Sequence, residues 1–162
     1  MIERHLLAEY VRREYSKVNY YVVTDVLLKN TNLKTRRESK VDVVAFYMVH
    51  PQVRSFLCIE NSQKHKEKDI LHDLRKIQEC SNYVYLVIPN EFYNYNLLNK
   101  LNENNIGLIT FDENGKKVVG EDSNNIEKLK PKREWVSLLE RLSEVYPKYK
   151  DKIEEKFREI YK

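Results

Sequence analysis

The sequence predicts an α/β fold, a mixed β-sheet flanked by helices, and three observations carry that expectation. Segments with apolar residues at helical spacing alternate with short runs rich in β-branched and aromatic residues. One of those runs, Tyr83 to Ile88 (YVYLVI), is almost continuously apolar, as a strand buried on both faces must be. Turn signals at His50-Pro51-Gln52 and at Asp112-Glu113-Asn114-Gly115 separate neighbouring runs.

Taken in order, Ile2, Leu6, Tyr10 and Val11 recur at helical spacing and predict an opening amphipathic helix from Ile2 to Tyr15. Glu3 and Glu14 fall inside its apolar arc rather than on the solvent side. Val18 to Leu28 predicts a strand, followed by a basic loop from Lys29 to Lys40. Val41 to Val49 and Val53 to Glu60 predict two strands joined as a hairpin at Pro51. Between Lys64 and Cys80, Ile70, Leu71, Leu74 and Ile77 share one helical face, and Pro89 ends the strand that follows. A helix from Glu91 to Asn104 and a strand from Ile106 to Phe111 come next. Beyond a polar stretch from Gly120 to Pro131, two amphipathic helices are expected on either side of Pro147. Trp135, Leu138, Leu142 and Val145 mark the first, and Ile153, Phe157 and Ile160 the second. Neither a repeat nor a long linker divides the chain. The expectation is one domain with a core over residues 1–120. An extension over 121–162 adds two C-terminal helices that pack on that core or form a dimer interface.

Composition excludes more than it selects. A net charge of +4 suits a polyanionic partner without requiring one. Two cysteines without metal-ligand spacing read as small buried side chains of a reducing compartment. No run approaches the roughly 20 apolar residues of a membrane span, and the charged N-terminus has no signal-peptide core, so a cytoplasmic protein is expected. Three glycines leave no phosphate-cradling glycine loop, and no nucleophile triad is evident.

Chemistry concentrates in the hairpin. With its turn centred on Pro51, an antiparallel ladder sets Asp42 opposite Glu60. Two carboxylates across a ladder repel, and a cation between them removes the conflict, using hard oxygen ligands suited to Mg²⁺ or Mn²⁺. A shifted register, or Glu60 ending its strand in solvent, is the plain alternative.

These residues resemble a known family. Lys40-Val41-Asp42-Val43-Val44-Ala45, a short turn and Phe56-Leu57-Cys58-Ile59-Glu60 are similar to the metal-binding hairpin of PD-(D/E)XK nucleases, where an Asp begins one strand and an E-x-K triplet ends the next. Asp69 to Lys76, Tyr83 to Pro89 and Asn105 to Ile109 resemble the helix and strands that follow in one branch. Glu3-Arg4 with Leu6-Leu7 looks like the first-helix acid of resolvase-like members. The resemblance covers roughly residues 1–120. It implies a restriction-endonuclease-like fold, a Mg²⁺- or Mn²⁺-dependent deoxyribonuclease acting as an endonuclease or resolvase, DNA as partner and a homodimer. The metal would be held by Asp42, Glu60 and Glu3.

The family's lysine position is Ser62 here. Lys40 is one substitute, placed opposite Ser62 by the same ladder. Lys64, Lys66 and Lys68 are others, Gln63 is a candidate to orient a water, and a site without a working lysine is the remaining alternative. Such a site would leave a degenerate nuclease fold that binds DNA or a protein. Lys34, Arg36, Arg37 and Lys40, with Lys66 and Lys68, are candidates for phosphate contacts. A mobile basic loop and a solvated helix face are the plain readings of the same charges.

Overall fold

The computed structural model describes residues 4–28, 39–60 and 66–162. It contains a six-stranded mixed sheet flanked by five α-helices among those residues, the α/β architecture that the patterning predicts. No described helix is long and apolar enough to cross a membrane.

Helix α1 (Arg4–Ser16) leads into strand β1 (Tyr21–Leu28). The strand begins three residues later than expected because Val18 and Tyr20 both donate backbone N–H bonds to the Tyr15 carbonyl. Asn19, with φ 63°, turns the chain between them. Strands β2 (Ser39–Tyr47) and β3 (Gln52–Cys58) form the expected hairpin. Its register differs from the expectation. Tyr47 pairs with Gln52 and Val43 with Phe56, so the loop is Met48 to Pro51 and Gln52 already belongs to the strand. Continued outward, that register aims Asp42 at Leu57, three residues short of Glu60, and it likewise removes Lys40 from a position opposite Ser62.

Helix α2 (Glu67–Gln78), strand β4 (Tyr83–Pro89), helix α3 (Tyr95–Glu103) and strand β5 (Gly107–Phe111) complete a parallel β3–β4–β5 centre. The helical pattern from Glu91 onward resolves into two pieces. A 3₁₀ turn covers Asn90–Phe92, and α3 starts afresh where the Asn94 side chain accepts the Leu97 N–H at 2.8 Å. A three-residue strand β6 (Lys117–Val119), not anticipated from patterning, pairs antiparallel with β5 at the sheet edge. Helices α4 (Val136–Val145) and α5 (Lys150–Ile160) close the chain on either side of a 3₁₀ turn that begins at Pro147.

The sheet separates two cores. Leu74 of α2, Leu98 and Leu101 of α3, Leu138 and Leu142 of α4 and Ile153 and Phe157 of α5 pack against Val44, Phe46, Val53, Leu86 and Leu108. Both parallel crossovers thus lie on this side, as right-handed connections progressing in one direction require. Leu7, Val11 and Tyr15 of α1 pack against Val43, Phe56, Tyr85 and Ile109 on the other side. Gly107 permits that packing, since a Cβ there would stand 2.3 Å from the Tyr85 ring. Edge strand β1 is sealed by side chains of the C-terminal segment. The Tyr146 hydroxyl donates to the Val22 carbonyl at 3.0 Å and accepts the Val22 N–H at 3.1 Å, and Trp135 Nε1 donates to the Leu27 carbonyl.

Candidate functional site

Of the expected site residues, Lys40, Asp42 and Glu60 lie at the end of the sheet where β3, β4 and β5 finish. Ser39 and Lys40 of β2 and Leu27 and Leu28 of β1 are at the same end, because β2 runs antiparallel to β3 and β1 antiparallel to β2. Carboxyl ends of parallel strands, with loops on either side, are the usual location of sites in α/β sheets.

At this end β2 and β3 part company. Their ladder stops at Val43 and Phe56, while β2 remains paired with β1 as far as Ser39. β3 stays with β4, and its pairing extends to the Ile59 N–H, which donates to the Val87 carbonyl at 2.9 Å. Asp42 stands at the opening. Its carboxylate, on a residue only 6% exposed, accepts the Cys58 N–H at 2.8 Å, replacing the backbone acceptor that β2 no longer supplies. The bond anchors the acid inside the gap between the strands.

A face switch accompanies the opening. On β1 Val23 and Val26 belong to the same core cluster, and on β2 so do Val41 and Val44, although strict alternation would send residues three apart to opposite faces. Asp25 and Asp42 occupy the step between the paired residues Thr24–Val43 and Val26–Val41. Asp25 takes the left-handed conformation there with φ 52°, which an aspartate tolerates better than a β-branched residue would. Rotation at this step lets both strands re-enter the core with Val26 and Val41 buried.

Glu60 follows Cys58 by two residues, is half-buried, and has its Oε1 atom buried. Continuing the alternation of Phe56 and Cys58, it falls on the α1 face. Asp42 and Glu60 are thus not partners across a ladder; Asp42 bonds the backbone of Cys58, two residues before Glu60. Both offer the hard carboxylate oxygens that Mg²⁺ and Mn²⁺ favour. Among the described residues no group of three His, Cys, Asp or Glu side chains is arranged to hold a metal. Carbonyl groups, water or a residue outside the described segments would have to complete the shell.

The remaining candidates divide as follows. Lys40 is exposed, lies across from Leu27, and by alternation from Val41 falls on the α1 face with Glu60. Lys66 occupies the position before α2 without capping it, and Lys68 is in the first turn; both are exposed. Glu3, Lys34, Arg36, Arg37, Gln63 and Lys64 lie outside the described residues, as does Ser62.

Lys66 and Lys68 line an open groove of about 720 Å³ together with Glu67, Asp69, Leu71, His72, Arg75 and Lys100. Arg75 and Lys100 were not singled out from the sequence. Their membership depends on α3 lying beside α2, a relation that no local spacing encodes.

On the α1 face a second polar cluster anchors the helix. Arg54 Nη1 donates to the Tyr85 hydroxyl at 3.0 Å and its guanidinium lies over the Tyr83 ring. Burial pushes the Tyr85 hydroxyl up to about 12, with Arg54 opposing that rise. The Tyr15 hydroxyl donates to Glu121, which also receives Lys117 at 2.9 Å.

Compared with protein-family models, with curated proteins and with solved structures, the chain finds no match in any of the three.

Proposed function

We propose that this chain is a metal-dependent DNA endonuclease or resolvase-like phosphodiester hydrolase of the PD-(D/E)XK kind, with Asp42 and Glu60 as its metal ligands. The observation that carries the reading is the parting of β2 and β3 around a buried Asp42 carboxylate, tied to Cys58 two residues before Glu60. An acid fixed in a strand gap at the carboxyl end of a parallel sheet is costly to bury and is well placed to be neutralised by a cation.

When bound, Mg²⁺ or Mn²⁺ would supply Lewis-acid polarisation of a phosphodiester and a water of lowered pKa. The chain's own residues have simpler tasks. Asp42, held by the Cys58 N–H, presents one fixed carboxylate; Glu60 presents a second, and Glu3 is the candidate for a third. Lys40, or Lys64, Lys66 or Lys68, would stabilise negative charge on the phosphate and orient the attacking water, with Gln63 as a second orienting group. Lys34, Arg36, Arg37, Lys40, Lys66 and Lys68 would hold the DNA backbone. The same reading places the protein in the cytoplasm and lets two copies act on two strands.

A second reading has its own support. With Ser62 at the family's lysine position and Lys40 no longer across from it, a degenerate nuclease fold that binds DNA or a protein without cutting fits as well. Incubation of supercoiled and branched DNA with Mg²⁺ or Mn²⁺ separates the two. The enzyme reading expects nicking that Asp42→Asn and Glu60→Gln each reduce by more than about 100-fold, beyond the loss typical of groups that merely support a ligand. Absence of metal-dependent cutting by the unaltered protein, with DNA binding intact, would establish the second reading instead.

A further inference from the structure

The groove between α2 and α3 gathers charge from two helices. Lys68, His72 and Arg75 stand four and then three residues apart along one side of α2, and Lys100 enters from α3. A row of exposed charges on one helix is ordinarily a solvated face. Two features distinguish this one. The cations come from separate elements and meet in a concavity instead of spreading over a convex surface. Of the two acids in its lining, Glu67 is already engaged by Lys100, at 2.6 Å, which leaves Lys66, Lys68 and Arg75 against Asp69. Arg75 is also steadied, its Nη2 donating to Asn104 Oδ1 at 2.8 Å, so its guanidinium is partly ordered before any ligand arrives.

Dimensions suit an extended polyanion. From Lys68 to Arg75 the helix rises about 10 Å, and a strand of duplex DNA advances about 3.4 Å per nucleotide, so the row faces about three successive phosphates. The upper end of the groove, at Lys66, is also the end of the sheet where Asp42 and Glu60 lie.

We propose that the α2–α3 groove binds the phosphate backbone of double-stranded DNA, with Arg75 and Lys100 as phosphate contacts beyond those assigned above. The choice of DNA as the polyanion rests on the nuclease reading; the charge and shape of the groove do not. Lys100 is held in reserve by Glu67 and changes partner when a phosphate enters.

Fluorescence anisotropy with a labelled duplex, in EDTA and across a salt series, tests this without any cleavage step. Arg75→Gln with Lys100→Gln should weaken binding at least about 10-fold at moderate salt. It should also reduce the slope of log affinity against log salt by about 2, close to one unit per lost phosphate contact. Glu67→Gln should act in the opposite direction and tighten binding, because it releases Lys100. Lys152→Gln with Lys156→Gln on α5 serves as the charge-matched control and should leave the slope within one unit of the unaltered protein. A double variant that follows the control, or a Glu67→Gln variant that weakens binding, overturns the proposal. So does a loss confined to anionic vesicles with duplex binding intact. Because the assay contains no divalent metal, absence of nuclease activity would sink the enzyme reading while leaving this result to stand or fall by itself.

Discussion

Replacing Asp42 separates the hydrogen bond it makes in the structure from the metal ligation proposed for it. Its carboxylate satisfies the Cys58 N–H, and Cys58 is 4% exposed, so Asp42→Ala leaves a buried donor without that acceptor. Such a loss costs about 1–3 kcal/mol. In a domain of this size each kcal/mol lowers the melting temperature by about 2–4 °C, which gives a fall of about 2–12 °C. Asp42→Asn keeps an oxygen that accepts the same bond and should cost less than about 1 kcal/mol. Metal linkage behaves differently. With Mn²⁺ at about a hundred times its dissociation constant, a protein that binds one ion when folded gains about 2.7 kcal/mol. The unaltered chain should show that gain in urea unfolding followed by circular dichroism, and both variants should lose it. The order of stability without metal is then native, Asn, Ala, while with metal the native protein separates from both. Equal Mn²⁺ stabilisation of the native protein and Asp42→Asn would refute the assignment of Asp42 as a ligand. An alanine variant as stable as the native protein would refute the structural half.

Three further predictions concern the frame around the site. Gly107→Ala should destabilise by about 1–3 kcal/mol, because its Cβ meets the Tyr85 ring at 2.3 Å and that ring is stacked on Phe56 and bonded to Arg54. Gly120→Ala, whose Cβ comes nearest to the flexible Lys117 side chain, at 3.2 Å, should be nearly neutral in the same urea titration. Tyr146→Phe removes the hydroxyl that serves both Val22 N–H and C=O at the sheet edge and should cost about 1–3 kcal/mol with an unchanged urea m-value. Glu121 governs part of the acid limb. Burial raises its pKa, but bonds from Lys117, its own backbone N–H and Tyr15, with the Lys117 charge, outweigh burial and hold it below the ordinary 4.5. A depressed folded-state pKa contributes stability that is present above 4.5 and is lost as pH falls through the lower folded value. The stability difference between native protein and Glu121→Gln should therefore shrink as pH drops below 4.5, and a difference that stays constant would contradict the sign.

Most elements were legible because each depends on neighbours in sequence. Val11 marks the buried face of α1, although Leu6, read on the same face, is exposed and Leu7 is buried; Ile70, Leu74 and Ile77 mark that of α2, and the unbroken YVYLVI run marks the strand between two helical layers. β6 escaped notice because three residues carry too little periodicity to distinguish a strand from a turn. The hairpin was recognised but its register was not. Pro51 marked the turn, yet the loop closed one side of it, and the facing pairs moved with the loop.

The candidate site shows the same division in sharper form. From the sequence alone came the two acids, their order, and their nearness to one end of the hairpin, although Asp42 is the fourth residue of β2 and Glu60 lies beyond the end of β3. Tertiary structure decided their surroundings. β2 follows β1, β3 follows β4, and the gap so formed is filled by the Asp42 side chain bonding the Cys58 N–H, while α3 brings Lys100 to the groove of α2. Strand divergence and helix placement arise from contacts between residues far apart in sequence, and local patterning carries no record of them.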